Sequence, residues 1–303
     1  MPTWRELVEE AIATLTAAEI PDPETSARWI GREATGTDAA EWLEVVDAAA
    51  TKRQLASFDR MVARRREGEP LQYVVGSWGF RTLDLFVDRR VLIPRPETET
   101  VAGSALAELD RVAGELSAGP GARSGPSTVA EAIVADLGTG SGAVGLAVAA
   151  ERPGTAVWLT DVSSDALAVA RANLAGLGLA GATVRVAEGR WFEALPPELA
   201  GSLAVVVSNP PYVASVDDLE PQVAAWEPEL ALLAAEAGLA DLHHLVDESP
   251  RWVRAEGALV LEMAPDQVPG VAERAARHFA EIETVDDLAG RPRAVIARRP
   301  LGR

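Results

Sequence analysis

The chain has no cysteine, which excludes disulfides and thiolate-bound metals and suits a reducing compartment. Histidine is nearly as scarce. His243, His244 and His278 are the only three, with no metal-type His/Asp cluster around them. They are expected on helices as surface or packing residues, and no metal site is expected. Long apolar runs are missing too, since none approaches the roughly 20 residues that span a bilayer. Residues 1–10 carry acids instead of the apolar core of a signal peptide. A cytoplasmic protein without membrane attachment is the expectation. Basic charge is in deficit, 28 Lys and Arg against 46 Asp and Glu, for a formal net charge of −18. A duplex-binding enzyme presents a basic face to phosphates, so this balance argues against a nucleic-acid substrate. The one dense basic run, Arg64-Arg65-Arg66, reads as the solvated end of a helix, with Arg89-Arg90 as a shorter second cluster.

What is present is a globular composition, 48% hydrophobic over 303 residues. That is room for a full doubly wound domain and a smaller companion. Residues 1–70 read as helices. Trp4, Leu7, Val8, Ala11, Ile12 and Leu15 recur at helical spacing before the break at Pro21-Asp22-Pro23. Segments 25–35, 39–49 and 52–66 continue the pattern, the last with Leu55, Phe58, Met61 and Val62 on one stripe. Residues 71–94 form a hairpin-like connector, rich in aromatic and β-branched residues. Pro94 and Pro96 then force an extended passage before a helix over about 97–116. The Gly/Pro-rich stretch 118–128 reads as a surface insertion without chemistry.

From Glu131 onward strands and helices alternate, the pattern of a parallel sheet covered on both faces. Strands are expected near 132–136, 156–161, 182–187, 203–208, 257–263, 280–286 and 293–298. The last pair, flanking Gly290-Arg291-Pro292, is expected as an antiparallel return at the sheet edge. Residues 95–303 thus form one α/β domain, with Trp226 and Trp252 expected in its core. Glu262, at the end of the fifth strand, receives no catalytic assignment.

Two motifs carry chemistry. Asp136-Leu137-Gly138-Thr139-Gly140-Ser141-Gly142 follows the apolar run Ala132-Ile133-Val134-Ala135 and opens a helix-like segment over 143–150. Glycines there let the backbone turn sharply and let a ligand come close, with helix N-terminal amides facing it. Gly140, Gly142 and Gly145 also satisfy the dinucleotide pattern G-x-G-x-x-G, with Asp161 ending the next apolar run. Asp136 discriminates between the two readings. A carboxylate there would repel a pyrophosphate, whereas it can pair with the ammonium of a methionine-like tail. Asp161 would bind a ribose diol in either case. A dehydrogenase would also need an acid/base His or Tyr-Lys pair, and none is apparent.

The second motif, Asn209-Pro210-Pro211-Tyr212, ends the run Leu203-Ala204-Val205-Val206-Val207, which reads as a buried parallel strand. Open α/β folds bind ligands at that strand edge. As a bare Asn-Pro it would be only a turn starter. As a site it offers more. Prolines present carbonyl acceptors and no N–H. The Asn209 side-chain oxygen beside a proline carbonyl can accept two hydrogen bonds from one –NH2 group, and Tyr212 can cover its flat face. The two motifs and Asp161 together indicate S-adenosylmethionine and an amino or amide nitrogen as acceptor.

Over nearly its whole length the chain resembles the bacterial peptide chain release factor N5-glutamine methyltransferases. The resemblance rests on Arg64-Arg65-Arg66-Glu67-Gly68-Glu69-Pro70-Leu71-Gln72-Tyr73, on Leu92-Ile93-Pro94-Arg95-Pro96-Glu97-Thr98-Glu99, on Asp136 to Gly142, and on Val207-Ser208-Asn209-Pro210-Pro211-Tyr212-Val213. The tetrad alone is shared with DNA adenine-N6 methyltransferases; the Ile-Pro-Arg-Pro-Glu-Thr-Glu segment is more specific.

The resemblance implies a class I methyltransferase, a Rossmann-like seven-stranded sheet with a small N-terminal helical bundle that docks substrate and a hairpin connector. It implies S-adenosylmethionine as cofactor, held by Asp136, Gly138, Thr139, Gly140, Ser141, Gly142, Asp161, Trp191 and Asn209. Asn209, Pro210 and Tyr212 would be catalytic and, with Pro211, bind substrate. Trp191-Phe192 is similar to the position where an aromatic packs by the adenine. The acidic residue common just before it is Arg190 here, so Glu188 or a backbone carbonyl would have to take the adenine amino group. The family often has Gly near Ala264. The implied substrate is the glutamine of the Gly-Gly-Gln loop in class 1 release factors, with no direct nucleic-acid contact and a monomeric enzyme. A ribosomal-protein glutamine, a DNA adenine, or a silent cofactor-binding module are the alternatives.

Overall fold

Capping residues set the helices at the N-terminus. In a capping box, the N-cap side chain and the third helical residue satisfy each other's backbone N–H. Thr3 and Glu6 start α1 (Trp4–Ala17) in this way. α2 (Pro23–Thr35) starts on a proline and stops at Gly36, which is left-handed. Asp38 and Glu41 start α3 (Ala39–Val45), and Thr51 and Gln54 start α4 (Lys52–Arg66). The computed structural model describes residues 1–118 and 132–302. The Gly/Pro-rich stretch read as an insertion therefore lies outside the described residues, apart from Ala118.

The helices close over Trp4, Leu7, Leu15, Ile30, Trp42, Phe58 and Met61. Trp4 meets Trp42 and Phe58 edge-on, at centroid distances of 6.1 and 5.7 Å. α3 stops short of the expected residue 49, because the next residues turn back to hold the start of α1. Arg5 N donates to the Val46 carbonyl, Trp4 N to that of Ala48, and Arg5 pairs with Asp47 at 2.8 Å. The basic run at the end of α4 is solvated only in part, with Arg64 and Arg66 exposed and the residue between them not. Arg65 is buried, its Nε donating to Ser26 Oγ at 3.1 Å and its Nη1 to the Glu69 carbonyl at 2.9 Å. Arg64 pairs with Glu69 and donates to the carbonyls of Tyr73 and Val74. Both guanidiniums tie the helix to the next turn, the multidonor role that Arg suits.

The region read as a connector begins with a helical turn, α5 (Leu71–Val75), which buries Tyr73, Val74 and Val75 and ends on left-handed Gly76. The hairpin β1 (Ser77–Phe80) and β2 (Leu83–Phe86) follows. α6 (Pro96–Ala118) begins on its proline, where a missing N–H costs nothing.

All seven expected strands form. They are β3 (Ile133–Leu137), β4 (Ala156–Asp161), β5 (Val184–Glu188), β6 (Leu203–Ser208), β7 (Val253–Glu262), β8 (Phe279–Asp286) and β9 (Pro292–Pro300). Their spatial order is β5-β4-β3-β6-β7-β9-β8, parallel except that β9 runs antiparallel to both its neighbours. The helices among them are α7 (Ala143–Glu151) and α8 (Ser164–Gly176). Alternate strand residues feed two cores. Val205, Val207 and Val260 share one with residues of α6 and α7. Val206, Leu259 and Leu261 share the other with Trp252. The strand order reverses between β3 and β6, and there the carboxyl ends open a crevice.

By its internal contacts, Met1–Ser77 forms one compact unit together with Pro221–Trp226, and Trp78–Glu220 with Glu227–Arg303 forms the other. The inserted piece is a short helix, α9 (Pro221–Trp226). Gln222 Nε2 donates to the Gly68 carbonyl at 2.8 Å, so α9 is held by the N-terminal unit. Trp226, expected in the α/β core, belongs there instead and is only half-buried. After it come α10 (Ala235–Gly238), α11 (Ala240–Trp252) and α12 (Val268–Ala275). His243 and His244 lie on α11, whereas His278 lies in the turn after α12. Among the described residues no helix is long and apolar enough to cross a membrane.

Candidate active site

The crevice at the switch point is a cavity of about 430 Å³. β3 delivers Asp136 to it, buried, and Asp136 Oδ2 organises the loop that follows. It accepts from Thr139 Oγ1 at 2.6 Å and from Gly145 N at 2.9 Å. Burial pushes its carboxyl up to about 6. Gly145 must be a glycine, because a Cβ there would meet Asp136 Oδ2 at 3.1 Å and overlap Leu159. Of the loop residues, Gly138, Thr139, Gly140 and Ser141 line the cavity. Gly140 is left-handed, with open space where a Cβ would project. Gly142, expected as a cofactor contact, is not on the wall. A Cβ there would lie 2.7 Å from Leu146 Cδ1, so this glycine serves close helix packing.

β4 ends on Asp161, whose Oδ2 accepts from Gly140 N and Oδ1 from Ser163 N, each at 2.9 Å. Burial raises its pKa against those hydrogen bonds. The turn after β5 swings Trp191 onto the wall with a left-handed φ of 48°. Its ring packs under Gly138, where a Cβ would come 3.0 Å from Cζ3. Trp191 Nε1 donates to Asp241 Oδ1 at 3.1 Å, and Arg190 Nη2 donates to the same oxygen at 3.0 Å. Asp241, at the start of α11, is thus an acidic wall residue beside the indole. No local pattern in the sequence points to it. Glu188, considered as the acceptor for the adenine amino group, is not among the residues that line the cavity.

β6 ends at Ser208, whose Oγ donates to the Leu137 carbonyl at 2.6 Å and pins the two central strand ends together. The next residue, Asn209, projects Nδ2 onto Thr98 Oγ1 at 3.2 Å. Thr98 lies inside the Pro-Arg-Pro-Glu-Thr-Glu stretch at the head of α6, and that stretch was its only sequence signal. Asn209 and Pro211 line the cavity; Pro210 and Tyr212 do not. Tyr212, expected to cover the reacting group, packs half-buried against the second core, and its carbonyl accepts from Gln267 Nε2 at 2.9 Å. Burial next to Glu262 pushes its phenol up to about 12. Glu227 holds the stretch that leads into α6. It is buried, accepts from Ile93 N at 3.1 Å and pairs with Arg95.

Two carboxylates at adjacent strand ends, an open left-handed glycine between them and an indole wall fit an adenosyl cofactor with an amino-acid tail. Residues 126–226 match the family described as Methyltransferase small domain, and residues 6–76 match PrmC N-terminal domain. Among solved structures, a methyltransferase from Pyrococcus furiosus aligns over 82% of this chain and 98% of its own, at 14% identity and a TM-score of 0.47. The sheet order, the glycine loop and the matched domain define a class I methyltransferase. The release factor glutamine methyltransferase of Xylella fastidiosa (strain 9a5c) is 39% identical over 298 residues, 95% of this chain and 98% of that protein. That of Mycolicibacterium smegmatis is 34% identical over 99% of both. The chain belongs to the release factor glutamine methyltransferase family.

Proposed function

We propose that the chain transfers a methyl group from S-adenosylmethionine to the side-chain nitrogen, N5, of the glutamine in the Gly-Gly-Gln motif of class 1 peptide chain release factors. The observation that carries this reading is Asn209, placed in the wall of the same cavity as Asp136 and Asp161 with its Nδ2 already engaged by Thr98. Its Oδ1 is therefore turned toward an incoming donor. An amide nitrogen is a poor nucleophile, because its lone pair is delocalised into the carbonyl. The cofactor, when bound, supplies a methyl on a cationic sulfur. What the chain's residues do is align, desolvate and polarise. Asn209 Oδ1 accepts one N–H bond of the target amide, the backbone carbonyl of Pro210, which lies between the wall residues Asn209 and Pro211, is assigned the other, and these acceptors favour positive charge growing on nitrogen. No strong base has to touch the nitrogen first, since its proton becomes acidic only as the new bond forms.

Labelled cofactor should transfer its methyl to an intact release factor, and not to one whose Gly-Gly-Gln glutamine is replaced by alanine. Equal labelling of both would overturn the reading.

Asp161 is assigned to the ribose diol. A charge-assisted hydrogen bond of this kind contributes about 1.5–3 kcal/mol, so Asp161→Ala should weaken S-adenosylmethionine binding roughly 10- to 100-fold by calorimetry. Because Asp161 also holds Gly140 N, Asp161→Asn should lose less. Unchanged affinity in Asp161→Ala would refute the assignment, and tight binding of a nicotinamide dinucleotide would revive the dehydrogenase reading.

The N-terminal unit is assigned to docking the release factor, since none of the wall residues of the cavity comes from it. Hydrogen–deuterium exchange on the full chain should show slower exchange within residues 1–77 when release factor is added. Protection confined to residues 78–220 and 227–302 would contradict docking by this unit.

A further inference from the structure

Behind Asn209 lies a polar cluster that the mechanism above does not use. Glu262, the last residue of β7, is 1% exposed, and among the described residues its Oε2 has no hydrogen-bond partner. A buried, unpaired carboxylate oxygen is costly to keep. The groups facing it are Thr98 and Glu97 from the first turn of α6, Tyr212 from the tetrad, and Arg293 from β9. Thr98 is buried as well, and its Oγ1 accepts from Asn209 Nδ2 at 3.2 Å. A hydroxyl that accepts still has one proton to donate, and the carboxylate facing that hydroxyl is Glu262.

We propose that Thr98 and Glu262 are positioning residues, a hydrogen-bonded pair that fixes the rotation of the Asn209 amide so that its oxygen faces the acceptor nitrogen. The terminal torsion of an Asn side chain is soft and nearly two-fold. Left free, it presents –NH2 to the substrate –NH2 for part of the time, and two donors cannot pair. Thr98 breaks that symmetry by engaging one end, and Glu262 orients Thr98 by taking its proton. The identity of the acceptor rests on the release-factor reading; the locking of Asn209 does not.

Protonation then controls the lock. Burial and Glu97 push the Glu262 carboxyl up to about 7, opposed by the Thr98 and Tyr212 hydroxyls and by Arg293. Above that pH the carboxylate accepts from Thr98. Below it the acid carries its own proton and can donate into Thr98 Oγ1, competing with Asn209 Nδ2. Turnover should therefore rise with pH through about 7 and then level.

The test combines kinetics with the Asn209 side-chain amide resonances in the 15N-labelled full-length protein. In the wild type those resonances should titrate with a midpoint near 7, and in Glu262→Gln they should not. Thr98→Val should lower kcat on the order of 10- to 100-fold, as expected for a misaligned reacting group, with KM for release factor and cofactor affinity changed by less than about threefold. Thr98→Ser, which keeps the hydroxyl, should restore kcat and so separates positioning from a folding defect. The proposal is overturned if the Asn209 resonances titrate alike in wild type and Glu262→Gln, or if Thr98→Val keeps the wild-type kcat. A wild-type enzyme that methylates no release factor at any pH would instead refute the release-factor reading, with the resonance titration still deciding the lock.

Discussion

Asn209→Ala is expected to cut methyl transfer by roughly 10²–10³, the cost of losing one hydrogen bond directed at the transition state in a preorganised site. Loss of alignment adds to that figure. The strand that delivers Asn209 is fully buried and pinned through Ser208 to Leu137, so the variant should fold. The cofactor is assigned mainly to the loop after β3 and the end of β4, so its affinity should stay within a few-fold of wild type. Asn209→Asp is the sharper variant. A carboxylate still accepts, but it cannot donate to Thr98 Oγ1, and it carries a desolvation cost next to the Pro210 carbonyl. Both should be severely impaired while circular dichroism stays native. Near-normal turnover in folded Asn209→Ala would reduce the tetrad to a turn.

The second large effect is expected from a residue with no chemistry. Gly238 closes three successive left-handed residues, after Glu236 and Ala237 with φ of 54° and 55°. Its own φ is 82°, and a Cβ there would overlap the Tyr212 carbonyl and lie 2.7 Å from Gln267 Nε2. Gly238→Ala must therefore move either its own segment or the tetrad loop. The left-handed backbone costs an alanine about 1–2 kcal/mol, and overpacking adds about 1–3 kcal/mol. A displacement of the tetrad on the order of 1 Å costs about 10² in rate. We expect a lowered thermal midpoint and turnover reduced about 100-fold at saturating cofactor. Wild-type stability with turnover within about threefold would show that the 236–238 turn does not brace Tyr212.

The sheet is legible in the sequence because each central strand is a short apolar run bounded by turn residues, and Val205, Val206 and Val207 are buried on both faces. The Asp136 loop and Asn209 are legible because glycine and proline restrict the backbone wherever they occur. The position of α5 is not, since Leu71–Val75 has strand-like composition and becomes helical only through the burial of Tyr73, Val74 and Val75. Arg65 likewise looks like a solvated charge until Ser26 and the Glu69 carbonyl are found around it. The supporting residues of the site are hidden by distance along the chain. Thr98 and Asn209 are 111 residues apart, and Ile93 and Glu227 are 134 apart. Asp241 reaches Trp191 only because α11 starts at the cavity wall. Local pattern finds the groups that bear the chemistry, and packing decides which groups hold them.

The most direct measurement is tandem mass spectrometry of a class 1 release factor after incubation with this protein and isotopically labelled S-adenosylmethionine. The account predicts one labelled methyl on the side-chain nitrogen of the Gly-Gly-Gln glutamine and none elsewhere in the factor. A labelled methyl on any other residue, or an unlabelled release factor beside a labelled ribosomal protein, would contradict it.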